Sequence, residues 1–350
     1  MPTITLREQY QAYQQKHPKT RIRTIAQVLG VSEMELLEVA DYEQCVYLGN
    51  HYKAILKEVH QLGKVMALTR NEHAVHEVKG EYANVQFMDK APMGLAHNEL
   101  IDTRYFTSTW AHVYGVVFQA GKRQMHSLQF FDKYGQAIHK IYLTSASNQE
   151  AYEQLLQDYA QKNRPAVALE KTPTKEKVSF EQLPDIAVPA FQQAWLHLQD
   201  THDFFGLLKK YDLTRQQAFR LAPAGSTYQV HKNALVEMLE AVAQNQTPIM
   251  VFLGNGACLQ IYSGKVKKLM PMENWYNILD PNFNLHVQLD SIQEAWVVKK
   301  NTADGIVTSL ELFDEFGEQI LYCFGKRKPG IPELPAWQEV IAALPLLEEE

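Results

Sequence analysis

Apolar residues recur at helical spacing early in each half of the chain, and strand-like segments follow them. The spacing of three to four residues predicts helices over 5–17, 22–29, 33–40, 51–62, 148–162, 189–209, 215–222 and 231–243. Stretches rich in β-branched and aromatic residues predict strands within 64–90, 112–144, 248–300 and 304–326. Because short turns rather than crossover helices join these strands, we expect antiparallel sheets and an α+β fold.

Three sequence segments occur twice, in the same order. Residues 29–40 match 211–222, residues 70–80 match 254–264, and residues 127–138 match 309–320, at offsets of 182 to 184 residues. The last pair shares the pattern SL-x-x-FD-x-x-G-x-x-I, which predicts two strands joined by a tight Asp-x-x-Gly turn. The middle pair is interpreted as strands that end in glycine turns. Self-similarity at a constant offset predicts a tandem structural duplication.

The first pair of segments carries matching helix-start signals. Ser32 precedes Glu35, and Thr214 precedes Gln217, at the spacing of a capping box. In this motif the two side chains reciprocally bond backbone N–H groups that the first helical turn leaves without partners. Both segments are therefore expected to open a helix.

Chain length and composition indicate two globular domains. The chain has 350 residues, against about 150 for a common single domain. Residues 163–188 carry Pro165, Pro173 and Pro184 among lysines and glutamates, a composition typical of an exposed linker. We therefore predict an N-terminal repeat over 1–170, a linker over 171–188 and a C-terminal repeat over 189–350.

Composition and charge narrow the functional classes. The chain is 46% apolar and 21% charged, which excludes a disordered or coiled-coil protein. A net charge of −6 argues against binding nucleic acid mainly through phosphate neutralisation. The three cysteines show no CxxC spacing, and no apolar stretch is long enough to span a bilayer. These features lead us to expect a cytoplasmic protein with no membrane span.

Common catalytic and nucleotide-binding motifs are absent from the sequence. It contains no phosphate-binding P-loop, no dinucleotide-binding G-x-G-x-x-G after a strand, no G-x-S-x-G elbow and no H-E-x-x-H zinc motif. Residues 25–37 resemble a DNA-binding helix-turn-helix. Its second helix would present Glu33, Glu35 and Glu38 to the DNA phosphates, so no nucleic-acid partner is expected, although a regulator acting through 25–37 is a third functional hypothesis.

Histidines are the most informative polar residues. His202 falls in the predicted helix 189–209, near Trp195 and Phe205. A histidine beside such an apolar stripe is either a hydrogen-bonded core residue or, next to a cleft, an axial ligand for haem iron. His73 and His76 should lie on opposite faces of a strand, which disfavours a shared metal ion.

Five segments together resemble the haemin-degrading factor family of cytoplasmic haem-utilisation proteins, called HemS, ChuS or HmuS. They are residues 70–77 (RNEHAVHE), 202–219, 249–266, 271–286 and 294–313. The resemblance extends over essentially the whole chain. It implies a tandem duplication with two large antiparallel β-sheets flanked by helices, and a haem cleft between the halves.

The resemblance also implies roles for individual residues. His202 corresponds to the proximal iron ligand and Arg104 to a distal arginine, and these two are the implied catalytic residues. Arg215 and Lys300 would bind the haem propionates. Further implied haem contacts are Arg327 on the distal side, Phe106 and Phe252 as aromatic walls, and His76 as a second haem site.

The implied activity is degradation of haem b, bound as ligand and substrate, with release of iron. An external reductant, NADH or NADPH, would supply electrons, although the sequence lacks an ordinary nucleotide-binding fingerprint. The alternative is a non-enzymatic carrier that receives haem from import machinery and delivers it to a separate haem oxygenase. The expected oligomeric state is monomer or dimer.

Overall fold

The computed structural model describes residues 4–162, 169–173, 183–328 and 330–347. Of the linker predicted over 171–188, residues 174–182 lie outside the described residues. The described chain is α+β, as predicted.

The first half of the chain begins with helices and continues mainly in strands. Its helices are α1 (Leu6–Lys16), α2 (Ile22–Leu29), α3 (Glu33–Val39), α4 (Tyr52–Glu58) and α5 (Gln149–Tyr159), with a 3₁₀ turn at Val59–Leu62. Its strands are β1 (Gln44–Tyr47), β2 (Gly63–Arg70), β3 (Ala74–Glu81), β4 (Gln86–Phe87), β5 (Met93–His97), β6 (Asp102–Phe106), β7 (Trp110–Ala120), β8 (Arg123–Asp132) and β9 (Ala137–Ser147).

The second half has the same order of α-helices and strands. Its helices are α6 (Val188–Leu196), α7 (Asp203–Tyr211), α8 (Arg215–Leu221), α9 (Ala234–Asn245) and α10 (Pro335–Ala342), with a 3₁₀ turn at Leu289–Ser291. Its strands are β10 (Thr227–Val230), β11 (Ile249–Gly254), β12 (Cys258–Gly264), β13 (Leu269–Met272), β14 (Trp275–Leu279), β15 (Phe283–Gln288), β16 (Glu294–Thr302), β17 (Gly305–Phe313) and β18 (Gln319–Gly325).

The strands form two large antiparallel sheets. Their orders are β1-β7-β8-β9-β2-β3-β15-β14-β13 and β10-β16-β17-β18-β11-β12-β6-β5-β4. In the second sheet, β16 and β17 form a long hairpin in which Lys300 lies opposite Val307 and Trp296 opposite Glu311. The predicted antiparallel sheets are confirmed.

The chain divides into two compact units. One comprises the described residues within 1–70, 77–173 and 255–260, here called unit 1. The other comprises those within 71–76, 174–254 and 261–350, here called unit 2. Each unit thus includes a short segment from the opposite half of the sequence.

One predicted helix is wrong. The helix expected over 189–209 is interrupted, because α6 ends at Leu196 and α7 begins at Asp203. Between them Asp200 Oδ1 accepts from the backbone N–H of His202 at 2.8 Å, and Asp203 Oδ2 accepts from that of Asp200 at 3.0 Å. Aspartate side chains that bond nearby backbone N–H groups compete with helical hydrogen bonds, which explains the break.

Both predicted capping boxes are present. Ser32 and Glu35 form one at the start of α3, and Thr214 and Gln217 form the other at the start of α8. In each, the hydroxyl accepts from the N3 backbone N–H while the N3 side chain accepts from the N-cap backbone. The two helices therefore begin at equivalent residues of the repeated segment.

The predicted Asp-x-x-Gly turns are also present. Asp132 Oδ1 accepts from two backbone N–H groups two and four residues later, and Asp314 Oδ1 does the same. Gly135 and Gly317 adopt φ of 76° and 75°, a left-handed conformation that glycine adopts without steric strain. The turns therefore explain why Asp and Gly recur in the matched segments.

Two equivalent asparagines organise the turns at the start of the middle pair of segments. Asn71 Nδ2 donates to the carbonyls of Gly254 and Ile320, and its Oδ1 accepts from two backbone N–H groups. Asn255 Nδ2 donates to the carbonyls of Arg70 and Ile138, with its Oδ1 bonded in the same way. Both segments thus begin at turns. The expected strand that ends at a glycine is found in the second segment, where β12 ends at Gly264, but not in the first, where Gly80 lies inside β3.

Aromatic packing fixes the helices of unit 2 on their sheet. Phe204 of α7 stacks on Phe219 of α8 at 6.1 Å between ring centroids and meets Trp195 of α6 edge-on at 5.0 Å. Trp296 and Phe313 complete the cluster from β16 and β17. Large apolar surfaces and edge-to-face rings make such clusters strongly stabilising, so α7 and α8 have a defined position.

Replacing Asn255 with alanine is expected to lower the free energy of unfolding by about 2–4 kcal/mol, because backbone groups in a partly buried turn lose their partners. Urea denaturation would measure the change. Asn98→Ala is the control, since the Asn98 side chain makes two hydrogen bonds, to the Glu81 carbonyl and from the Glu99 backbone N–H, where that of Asn255 makes four. An Asn255→Ala protein no less stable than Asn98→Ala would contradict this role.

Candidate functional site

The most unusual feature of unit 2 is a buried carboxylate between two cations, here called the Glu311 cluster (Arg215, Lys300 and Glu311). Lys300 Nζ donates to Glu311 Oε1 at 2.9 Å. Arg215 donates to Oε2 from Nε at 2.9 Å and from Nη2 at 2.7 Å. Lys300 is 2% exposed and Glu311 0%, whereas the Arg215 side chain is 28% exposed.

Local sequence explains this convergence. Arg215 is the first residue of α8, directly after its capping box. Side chains alternate along β16 and β17. Lys300 therefore shares a face of β16 with Trp296, and Glu311 shares a face of β17 with Phe313, the two strand residues of the aromatic cluster. The ion cluster thus lies on the helix-covered face of its sheet.

The electrostatics of Glu311 follow from its partners. Its two oxygens also accept from Ser309 Oγ and from Gln319 Nε2, each at 2.8 Å. Burial acts to raise the pKa of Glu311, but Arg215 and Lys300 outweigh it and lower that pKa to about 2. Glu311 is therefore ionised at neutral pH, and with both cations charged the cluster carries one net positive charge.

The pKa of Lys300 is also lowered, but for a cation this disfavours the charged form. Burial, the largest effect, and the charge of Arg215 lower the pKa of Lys300 to about 8, although Glu311 favours the charged form. The ammonium also lies 4.6 Å from the Phe204 ring centroid, and the Arg215 guanidinium lies 5.1 Å from it. These cation–π contacts give the two cations a rigid aromatic support.

A group of half-buried aromatic rings adjoins Arg215. Phe252 of β11 stacks on Tyr322 of β18 at 4.7 Å, and both contact Phe324, at 5.4 and 5.7 Å. The Arg215 guanidinium lies 5.8 Å from the Tyr322 ring. We refer to Phe252, Tyr322 and Phe324 as the aromatic wall. Half-buried aromatic rings beside a positive charge suit an apolar planar ligand with a carboxylate at its edge.

His202 does not lie in the core. Its side chain is 93% exposed, and it immediately precedes α7 rather than facing an apolar stripe within a helix. Its Nδ1 donates to Asp200 Oδ1 at 2.5 Å, and hydrogen bonds from His202, first from its backbone N–H, lower the pKa of Asp200. Because Asp200 occupies Nδ1, Nε2 is the nitrogen available to a metal. Histidine ligands are commonly oriented in this way by a carboxylate that accepts from the ring nitrogen opposite the metal.

An exposed aromatic ring lies three residues after His202, in the first turn of α7. Phe205, three residues later, is 74% exposed, while Phe204 points into the core. Residues three apart lie on the same side of a helix. His202 and Phe205 therefore present an imidazole and an apolar ring together to solvent.

The hydrogen bonds given by the structure for Arg104 and Arg327 go to residues outside the Glu311 cluster. Arg104 and Phe106 belong to β6 of unit 1, where Arg104 is hydrogen-bonded to Asp102 and to the Thr103 carbonyl. Arg327 belongs to unit 2 and donates to Asp304 at 3.1 Å. Of the residues predicted at the site, the structure thus brings Arg215, Lys300 and Phe252 into connected contacts.

The two candidate histidines near β3, His73 and His76, have different surroundings. His73 precedes β3 rather than lying in it, and its Nε2 lies 3.1 Å from Asp314 Oδ2. His76 is fully buried with its ring 5.0 Å from that of Phe283, and burial lowers its pKa to about 3. Both ring nitrogens of His76 are buried away from solvent, and its role as a second haem site stays a prediction.

The equivalent positions in unit 1 carry different charges. Glu33 opens α3 as Arg215 opens α8, and it is paired with Lys140 of β9. Phe118 stands at the position of Lys300, and Gln129 at that of Glu311. Contrary to the sequence-based expectation, Glu33 is buried in this pair and is not presented to a partner such as DNA.

Sequence reasoning missed several residues of this region. Glu311 is an acidic residue in an otherwise apolar strand, SLELF, and an isolated charge in such a strand is a detectable signal. Tyr322 and Phe324 alternate along β18 with Cys323, which is buried, so the two rings lie on the opposite face of the strand from the thiol. Asp200 gave no signal, because its role depends on the break before α7.

Metal-binding clusters and membrane-spanning helices are both missing from the described part of the chain. In the described residues no three His, Cys, Asp or Glu side chains are grouped so as to hold a metal ion. None of the helices in the described ranges is long and apolar enough to cross a membrane.

Comparison with known sequences gives extensive matches. The family described as "Haemin-degrading HemS.ChuX domain" matches residues 30–159 and again residues 212–344. The chain is 36% identical to the "Hemin transport protein HmuS" of Yersinia pestis, over 97% of each chain. It is 37% identical to the "Hemin transport protein HemS" of Yersinia enterocolitica, over 96% of each.

Comparison with solved structures agrees. The haem-bound structure of PhuS, a haem-binding protein from Pseudomonas aeruginosa, matches with a TM-score of 0.90 and 38% identity over 97% of each chain. ChuS from Escherichia coli O157:H7, described as a haem-degrading enzyme, matches with a TM-score of 0.88 and 34% identity over 97% of this chain and 99% of that one. On these matches, the chain belongs to the HemS/ChuX family of haemin-degrading domains.

Proposed function

We propose that this protein binds haem b at a site that includes the Glu311 cluster and the aromatic wall, and degrades it with electrons from an external donor, releasing iron. The observation that carries the proposal is the aromatic wall next to the Glu311 cluster. A porphyrin is flat and apolar and carries two propionates, so it needs both an aromatic surface and a nearby cation. The names of the relatives support the same ligand, since they describe haem-binding, haemin-transport and haem-degrading proteins.

His202 is the proposed iron ligand. Its exposed imidazole has Nδ1 bonded to Asp200, and a neutral imidazole nitrogen is a suitable donor for haem iron. Phe205 on the same side of α7 would contact the porphyrin. Arg104, Phe106 and Arg327 stay proposed haem contacts, with Arg104 assigned to the distal side. The bound haem would supply the oxygen chemistry, and the protein supplies ligation, orientation and charge.

Replacing His202 with alanine is expected to shift the Soret band of the haemin-loaded protein and to weaken haemin binding at least about tenfold, because the axial ligand is lost. Absorbance titration with haemin measures both effects. His197→Ala is the matched control, since His197 is an exposed histidine at the end of α6. An unchanged spectrum in His202→Ala would reject the ligand assignment.

An enzyme and a carrier differ in the fate of the haem once it is bound. For an enzyme, adding ascorbate or NADH under air to the haem-loaded protein should abolish the Soret band and yield a bilin or another opened tetrapyrrole, together with free iron. The related haemin-transport proteins make a carrier the second candidate. A Soret band that persists with reductant until an apo haem oxygenase is added would establish the carrier instead.

Haemin affinity is expected to fall as the pH rises through about 8. Below its pKa of about 8 Lys300 is protonated and attracts the propionates, and above it this positive charge is lost. Lys300→Arg stays charged throughout this range. In titrations from pH 6.5 to 9.5, the haemin affinity of the native protein should therefore fall more than that of Lys300→Arg. The same variant controls for changes that pH causes in haemin itself. Parallel curves would exclude Lys300 as the source.

A further inference from the structure

Glu311 accepts more hydrogen bonds than the neutralisation of its charge requires. Glu311 accepts five hydrogen bonds, and two of them come from the same guanidinium. A single lysine contact would suffice to neutralise a carboxylate. The double contact from Arg215 instead fixes the orientation of the guanidinium plane, because Nε and Nη2 both converge on Oε2.

That orientation determines which donors of Arg215 stay available. A guanidinium has five N–H donors in one plane. Since Glu311 takes the edge formed by Nε and Nη2, the edge that includes Nη1 points away from it. The side chain is partly exposed and lies against Tyr322 of the aromatic wall. Arg215 can therefore offer two parallel donors to a ligand carboxylate while Glu311 holds it from behind.

Unit 1 provides a natural comparison. Ser127 and Gln129 there form a hydrogen bond at 3.1 Å, at the positions of Ser309 and Glu311. The position of Arg215 is an acid in unit 1, and the position of Lys300 is Phe118. The carboxylate thus occurs in the unit that has the arginine, and a neutral amide occupies this strand position where the arginine is absent.

We propose that Glu311 is a positioning residue that orients Arg215 to receive one carboxylate of the ligand. The inference rests on the proposed haem-binding function and deepens it. Glu311 need not touch haem, but it would control how Arg215 recognises a propionate. Positioning makes a distinctive demand. Removing Glu311 should weaken carboxylate recognition, even though removing a negative charge makes the site more positive.

The test compares haemin with haemin dimethyl ester, in which both propionates are esterified. The ratio of the two dissociation constants reports carboxylate recognition alone, since both ligands have the same iron and ring. We expect the native protein to favour haemin at least about tenfold. Arg215→Met should lose most of this preference and sets the lower reference.

The decisive variants are Lys300→Met and the double variant Lys300→Met/Glu311→Gln. Lys300→Met leaves the Arg215–Glu311 pair intact and reduces the net charge of the cluster to zero. The double variant restores a net charge of +1 but removes the carboxylate that holds Arg215. It also avoids leaving a buried ammonium without a counterion, which the single Glu311→Gln change would do.

If Glu311 acts by positioning Arg215, Lys300→Met should have the higher haemin preference of the two variants. If only net charge matters, the double variant should have a preference that is equal or higher. If Glu311 positions Arg215, the haemin preference of the double variant falls at least about threefold below that of Lys300→Met. An equal or higher preference in the double variant would overturn the proposal. Glu339→Gln, on the exposed face of α10, is the control for loss of an acidic residue and should keep the native preference.

Circular dichroism and thermal unfolding check that the variants fold. If the double variant does not, Ser309→Ala removes one bond to Glu311 Oε1 in an otherwise native cluster, and it should reduce the preference by a smaller factor. An unchanged preference in Ser309→Ala would then count against the proposal. Failure of the native protein to bind either ligand would refute the proposed function itself. Equal binding of both ligands by the native protein would refute only the inference.

Discussion

The arrangement of unit 2 depends on one buried carboxylate. Glu311 is inaccessible to solvent, and it ties the start of α8, through Arg215, to β16, through Lys300. Removing an ion from water is costly, so a buried carboxylate is stable only when its partners are close and well oriented. The aromatic cluster under α6–α8 provides this precision, because Phe204 supports both cations. Aromatic packing and ion pairing therefore both fix the positions of Arg215 and Lys300.

The repeated framework and the functional residues obey different constraints. The residues that the two units share are those that satisfy the backbone: the capping boxes, the Asp-x-x-Gly turns, and Asn71 and Asn255. The residues that differ include side chains on the helix-covered faces of the sheets, such as Phe118 where unit 2 has Lys300. Backbone geometry tolerates few alternatives at a turn, whereas a side chain on a sheet face can change its charge if its partner changes too. This supports our inference of a tandem duplication whose halves have diverged in chemistry.

Much of the fold could be predicted from the sequence because its signals are local. The capping boxes and glycine turns each lie within a few residues, and the α+β class followed from short turns between strands. The break between α6 and α7 could not be predicted from apolar spacing, because it results from Asp200 and Asp203 bonding backbone N–H groups. Arg215, Lys300 and Phe252 were selected through family resemblance, and their connection through Glu311 and Tyr322 is tertiary. Residues 96 positions apart give no periodic signal when they pair.

The contrast between His76 and His202 shows what makes a histidine available to a ligand. Both are candidate haem ligands from the sequence. His76, however, is buried with its ring against that of Phe283, and burial lowers its pKa. His202 is solvent-exposed, with one nitrogen held by a carboxylate and the other open. A large planar ligand can reach an imidazole only when the surrounding surface is open on the scale of the ligand. Within the described part of this chain, an open imidazole, an exposed aromatic ring and a preorganised cation all occur in unit 2. In unit 1 the position that corresponds to Arg215 is Glu33, a buried acid that forms an ion pair with Lys140.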